Sequence, residues 1–159
     1  MAQPLDFIKT ARRLVGKADS KRRRQSDLRR AISTAYYAMF HALCKNCADC
    51  LIGGTKSHRS QKAWRQAYRA VEHGFSKSQC KNSNIVSQFP KEIEDFATLY
   101  VALQEKRHSA DYDPFVSFAL SDVVEAIDSA EEAISELRSV PKKDLRAFAA
   151  WTAMKARKD

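Results

Sequence analysis

Two short stretches gather side chains able to do polar chemistry. "AISTAYYAMFHAL", residues 31–43, sets Tyr37 and His41 among apolar neighbours, and "RHSADYDP", residues 107–114, carries Arg107, His108, Asp111 and Tyr112 in close succession. A guanidinium, an imidazole that titrates near neutrality and a phenolic hydroxyl are groups that hold an anion and move a proton beside it. A third stretch, C-x-x-C-x-x-C at Cys44, Cys47 and Cys50, has the spacing of a ligand set. It lies in "HALCKNCADCLIGG", however, which continues a helical pattern, and residues three apart on a helix drift by about 60° per step. Metal-binding pairs of this spacing sit on tight turns with further ligands nearby, and Cys80 is too far along the chain to join them. These thiols are expected to line a core, and no metal or other cofactor is expected.

Helical phase indicates what must position the polar groups. Leu28, Ile32, Ala35, Tyr36, Met39, Phe40 and Leu43 form one wide apolar band. Along its flank run Arg30, Thr34, Tyr37 and His41, again three or four apart. Such a border is where a helical bundle meets a second subunit or where a ligand lies between helices. It equally suits a core helix whose tyrosines and histidine find internal partners. Farther on, Phe96, Tyr100, Leu103 and Arg107 fall within about 60° of one another, so Arg107 continues an inward stripe. An arginine buried alone costs several kcal/mol. Arg107 must therefore pair, with Asp111 or Asp113 close in sequence, or address something anionic. His108 lies about 100° round the same helix, on the flank.

The elements that carry these residues read as helices almost throughout. With four Gly, four Pro and no sustained alternation of apolar and polar residues, strands find no support, and the class is all-α. A first helix is expected from about 4 to 17, opened by Pro4 and ended at Gly16. A charged connector, 17–25, leads to the longest helix, from an N-cap at Ser26 to about Leu51, where Gly53 and Gly54 supply a turn. Ser57 or Ser60 opens a third helix that Gly74 closes, with Ala63, Trp64, Ala67, Tyr68 and Val71 as its apolar stripe. The polar stretch "FSKSQCKNSNIVSQF" is expected to be the one long loop, with at most a short helical turn. Pro90 starts a fourth helix that stops near Pro114, an acidic fifth runs from Pro114 or Ser121 to Arg138, and beyond Pro141 a short amphipathic helix follows. The whole, 1–159, is read as one domain with its core at about 5–138 and a C-terminal helix in 141–159 able to dock on the bundle or on a partner. A helix-turn-helix reader of DNA fits less well, because the turn at Gly53 and Gly54 feeds a helix whose apolar face is committed to core.

Charge points to the kind of partner. Lys plus Arg number 28 against 19 Asp plus Glu, a formal net charge of +9. Lys9, Arg12, Arg13, Lys17, Lys21, Arg22, Arg23, Arg24, Arg29 and Arg30 all fall in the first thirty residues, opposed there by Asp6, Asp19 and Asp27. Such a field favours nucleic acid or another acidic partner, while a charged helix face is also compatible with plain solvation. The first apolar residues are broken by Asp6, Lys9, Arg12 and Arg13, unlike a secretory leader, and no apolar run reaches the ~20 residues of a membrane span. A cytoplasmic compartment with reduced cysteines is expected.

The residues from about Leu28 to Arg138 resemble the HEPN superfamily (higher eukaryotes and prokaryotes nucleotide-binding), on the strength of "RRAISTAYYAMFHAL" followed in order by "RHSADYDP". The resemblance implies an antiparallel up-down bundle of four to five helices that dimerises face to face. It also implies RNA as partner, a metal-independent endoribonuclease site at the dimer cleft, a toxin and antitoxin or phage-defence setting, and the company of a minimal nucleotidyltransferase. Carried over residue by residue, it reaches Arg107, Asp111 and Tyr112. The sequence departs from the family's catalytic pattern, an arginine followed after four to six residues by a histidine. After Arg107 the only close histidine is the adjacent His108, and Arg69 and His73 are separated by too few residues and lie on another helix. His41 or His108 is therefore expected to substitute in space, with Arg30 and Tyr37 lining the cleft. The alternatives are a non-catalytic RNA or nucleotide-binding module and a partner of a nucleotidyltransferase that modifies Tyr112.

Overall fold

The longest helix, α2 (Gln25–Leu51), organises the protein: α1 (Pro4–Val15), α3 (Gln61–Arg69), α6 (Lys91–Tyr112), α7 (Leu120–Leu137) and α8 (Lys142–Ala153) all pack against it. A 3-10 turn at Lys56–His58 and two shorter helices, α4 (His73–Lys81) and α5 (Ser83–Val86), complete the order in this computed structural model, which describes residues 3–16 and 24–158. Among them there is no strand, and no helix is long and apolar enough to cross a membrane. The acidic and basic residues of the connector at 17–23 lie outside the described residues.

Burial along α2 follows the apolar band. Ile32, Ala35, Tyr36, Met39 and Leu43 are fully enclosed, Leu28 nearly so, and only Phe40 is half-buried. The band continues through Cys44 and Cys47, both buried, so these thiols face the core; the Cys47 thiol lies 3.8 Å from the Ala149 carbonyl of α8. Small residues between the large ones (Ala31, Ala35, Ala38, Ala42) let α2 touch five helices at once. Opposite it, Ile93, Phe96, Ala97, Tyr100 and Leu103 of α6 and Val123, Ile127, Ala130 and Ile134 of α7 complete the core. The C-terminal helix docks on the bundle, burying Phe148, Ala149 and Thr152.

The element boundaries differ from expectation in three places. Helix α2 starts at Gln25, because the Gln25 amide side chain exchanges two hydrogen bonds of 2.9 Å with the backbone of Phe118 and so draws the first residue into the helix ahead of Ser26. The helix opened by the Ser60 side chain, which accepts from the Ala63 N–H, ends at Arg69 and not at Gly74. The stretch expected to be a loop is helical: α4 begins at His73 with Gly74 inside its first turn, and α5 follows at once. Tertiary packing overrides the polar composition there. Ser76, Cys80 and Val86 are buried, Cys80 and Val86 in the apolar core, and the Ser76 hydroxyl is absorbed by the Glu72 carbonyl at 2.7 Å.

Two arginines of the basic N-terminal region are spent on the fold. Arg12 bridges from α1 to Asp128 at 2.8 Å and to Glu131 of α7. Arg29 donates to the carbonyls of Ala110 at 3.0 Å, Asp113 at 2.8 Å and Val116, closing the open C-terminal end of α6. That cap holds residues 110–116, and Asp111 among them, against α2.

Candidate functional site

Where α2 and α6 run side by side, α4 brings in its first residue, and the three helices enclose a cluster of polar tips in an aromatic frame. Tyr36 of α2 is fully buried, yet its hydroxyl lies 2.6 Å from Nδ1 of His73 at the start of α4. The same hydroxyl is 3.3 Å from that of Tyr100, which in turn meets the Ser76 hydroxyl at 2.8 Å. Each buried phenol thus has a partner, as burial requires. The His73 ring stacks on Phe40 with centroids 3.8 Å apart, and Tyr37 meets it edge-on at 6.1 Å.

Arg107 closes the cluster from α6. Its guanidinium carbon lies 5.2 Å from the centroid of the Tyr36 ring and 6.0 Å from that of Tyr37, close enough for cation–π attraction. Its one ionic contact among the described residues is Nη1 to Asp111 Oδ2 at 3.5 Å, one turn along the same helix. That distance is at the outer limit of a hydrogen bond, and Asp111 Oδ2 is shared with the Ser33 hydroxyl, also at 3.5 Å. The Arg107 side chain is 15% exposed, and its buried Nε has no partner among the described residues. The expected pairing of Arg107 with Asp111 is therefore present, and it leaves most of the guanidinium's hydrogen-bonding capacity unused.

The electrostatics keep the imidazole neutral. Burial first, then the positive Arg107 and the neighbouring His41, lower the pKa of His73 below its ordinary value of 6.5. Burial likewise lowers that of His41, and it pushes the Tyr100 hydroxyl up to about 12, so the phenols stay protonated. With the Tyr36 hydroxyl donating to Nδ1, His73 carries its proton on Nε2 and offers a donor. In the other tautomer Nε2 is a free base.

The sequence-predicted residues divide between this cluster and its surroundings. Arg107, Tyr37 and Asp111 belong to it. His41 borders it: Nδ1 lies 2.5 Å from the Tyr68 hydroxyl, and its ring stacks on Phe7 at 4.6 Å. Arg30 is exposed on α2. His108 and Tyr112 stand together on the exposed side of α6, rings 5.1 Å apart, with no hydrogen bond or ring contact to the cluster. His73 was not expected to contribute. The sequence places it at the end of the helix expected to close at Gly74, beyond Val71, the last residue of that helix's apolar stripe, so no pattern directs it inward.

No family model, no curated protein and no solved structure matches the chain.

Proposed function

We propose that this chain is an RNA-binding protein of the HEPN type, an up-down helical bundle that presents Arg107 and His73 to a phosphate in a groove completed by a second copy of the chain. The observation that carries the reading is the partly spent guanidinium: Arg107 is held by aromatic faces and a single contact of 3.5 Å, beside a neutral imidazole. An arginine so placed keeps donors for a phosphate, and the planar fork suits two of its oxygens at once. The formal net charge of +9 supplies the long-range attraction. At the end of α6, Tyr112 and Phe115 are 68% and 94% exposed, an aromatic edge suited to a partner copy. Anisotropy titration of labelled single-stranded RNA in chelator tests this. Arg107→Ala weakens binding about tenfold, the equivalent of about 1.4 kcal/mol, and an unchanged affinity overturns the reading.

The nearness of His73 to Arg107 favours a second, stronger reading, metal-independent RNA cleavage. The 2′-hydroxyl oxygen attacks its own phosphorus while the imidazole takes the hydroxyl proton. Arg107 stabilises the charge on the phosphorane, and the 5′-oxygen leaves with a proton returned to it. In this reading His73→Ala abolishes cleavage and leaves binding intact, whereas His108→Ala retains both. Retained cleavage in His73→Ala removes the catalytic role. The exposure of Tyr112 also fits the acceptor of a partner nucleotidyltransferase. Mass spectrometry after co-expression reads that directly, and an unmodified Tyr112 counts against it.

A further inference from the structure

A half-open cavity of about 570 Å³ lies between the C-terminal half of α2, the end of α7 and the start of α8. It is distinct from the cluster around Arg107: from Tyr37 to Cys50 along α2 is about 20 Å at the helical rise per residue. Its volume falls in the range of small-molecule sites. The floor is aliphatic, from Leu51, Ile134, Leu137 and Leu145, with the exposed Ile52 at the edge, and Cys50 also lines the cavity.

The rim is cationic. Arg138 at the end of α7 and Lys142 and Arg146 on the first turns of α8 all line the cavity. None of the three side chains has an ion pair or a hydrogen bond among the described residues. Lys45, the other cation of the lining, is occupied by Asp49, and Asp49 is itself engaged by Arg59 at 3.1 Å and by the Trp64 indole at 2.8 Å. The lining's one carboxylate is thus neutralised by its own partners, and three positive side chains face a concave apolar surface uncompensated. The thiol of Cys50 registers that field: burial and Asp49 raise its pKa, while Arg146 and Lys142 act against them. The arrangement differs from a merely solvated cationic face, where no enclosed apolar volume lies beneath the charges.

We propose that this cavity binds a small amphipathic anion, with an apolar body seated on Leu51, Ile134 and Leu145 and a carboxylate or phosphate head held by Arg138, Lys142 and Arg146. Arginine forks and a lysine together match the oxygens of either head group. Burial of the body gives the affinity and the charges give the selection. The proposal does not rest on RNA binding and survives its failure, because no residue of the Arg107 cluster lines the cavity.

Cys50 provides the readout. It is half-buried, while Cys44, Cys47 and Cys80 are buried and report on unfolding. The full chain is treated with iodoacetamide, and alkylation at each cysteine is followed by mass spectrometry with octanoate, octyl phosphate, octanol or inorganic phosphate present below micellar concentration. Octanoate or octyl phosphate slows Cys50 alkylation about tenfold at tenfold excess over its dissociation constant, by mass action, and whichever protects more identifies the head group. Octanol and inorganic phosphate at the same concentration leave the rate unchanged, and Lys142→Ala combined with Arg146→Ala removes the protection while Cys44, Cys47 and Cys80 stay unreactive. Three results overturn the proposal: no protection by either anion, protection by octanol or inorganic phosphate equal to theirs, or full protection in the double variant.

Discussion

Arg59 and Arg107 each lie over an aromatic ring beside an aspartate, and the protein uses them in opposite ways. The Arg59 side chain is 5% exposed and centred 4.3 Å over Trp64. Its Nη1 reaches Asp49 at 3.1 Å, the Gly53 carbonyl at 2.8 Å and the Gly54 carbonyl at 3.3 Å. The two carbonyls turn toward it because α2 ends there in a backbone that only glycine adopts freely, Gly53 having φ +134°. Arg107 has a similar aromatic seat but one contact of 3.5 Å. The buried Nε of each arginine has no partner among the described residues; the two differ at Nη1, which at Arg59 is taken by two carbonyls and a carboxylate that fix a turn and at Arg107 by one carboxylate contact of 3.5 Å. Partner number, not burial, separates the structural cation from the available one.

The largest effect is expected at Arg59. Arg59→Ala takes the donor from two carbonyls and one of three donors from Asp49, which keeps Lys45 and the Trp64 indole, and urea unfolding registers a loss of about 2–3 kcal/mol, with RNA affinity of the folded fraction unchanged. Arg107→Ala does the reverse: stability falls by less than about 1 kcal/mol, since Asp111 keeps Ser33 and solvent, while RNA affinity falls. If Arg107→Ala proves the more destabilising of the two, the assignment of roles is wrong.

Between these lies Tyr36→Phe. Removing the hydroxyl leaves His73 Nδ1 unpaired in a half-buried site and costs about 1–2 kcal/mol by thermal or urea unfolding. Acidity probes the same cluster. Both His73 and His41 have pKa values lowered in the folded state, so the unfolded chain binds more protons than the native one once the pH drops below the ordinary histidine value of 6.5. Their contribution to stability is complete above that pH and declines as the pH falls toward the lowered folded values. Unfolding midpoints measured from pH 8 down to pH 5 decline over that lower stretch, and a flat profile would show that the imidazoles are as solvated as in the unfolded chain. The smallest effect belongs to His108→Ala, within about 0.5 kcal/mol in stability and neutral in RNA binding; a marked loss of affinity would move the site to the exposed side of α6.

The all-helical class was legible because the apolar bands of α2 and α6 repeat at helical spacing over many turns, and buried Ile32, Met39, Phe96 and Leu103 fall on them. The inward course of Arg107 followed from the same phase; nearness in sequence offered Asp111 and Asp113 alike as its partner, and Asp111, one turn along the helix, is the one in contact. His73 was not legible. Its place depends on a break after Arg69 and a new helix at His73 that packing imposes on a polar segment, and no pattern within α2 or α6 announces a residue arriving from elsewhere in the chain. The same holds for Arg29, whose reach to the carbonyls of Ala110 and Asp113 joins residues 81 and 84 positions apart. Local periodicity tells which face a residue occupies, whereas the partner across the fold is fixed by tertiary contacts.

Whether the Arg107 guanidinium meets a phosphate is read from the salt dependence of RNA binding for the wild-type chain and Arg107→Ala, titrated in chelator across a series of salt concentrations. Each phosphate contact contributes about one unit to the slope of log affinity against log salt. A free Arg107 predicts that the variant binds more weakly and that its slope is shallower by about one unit; two superimposable lines would contradict the account.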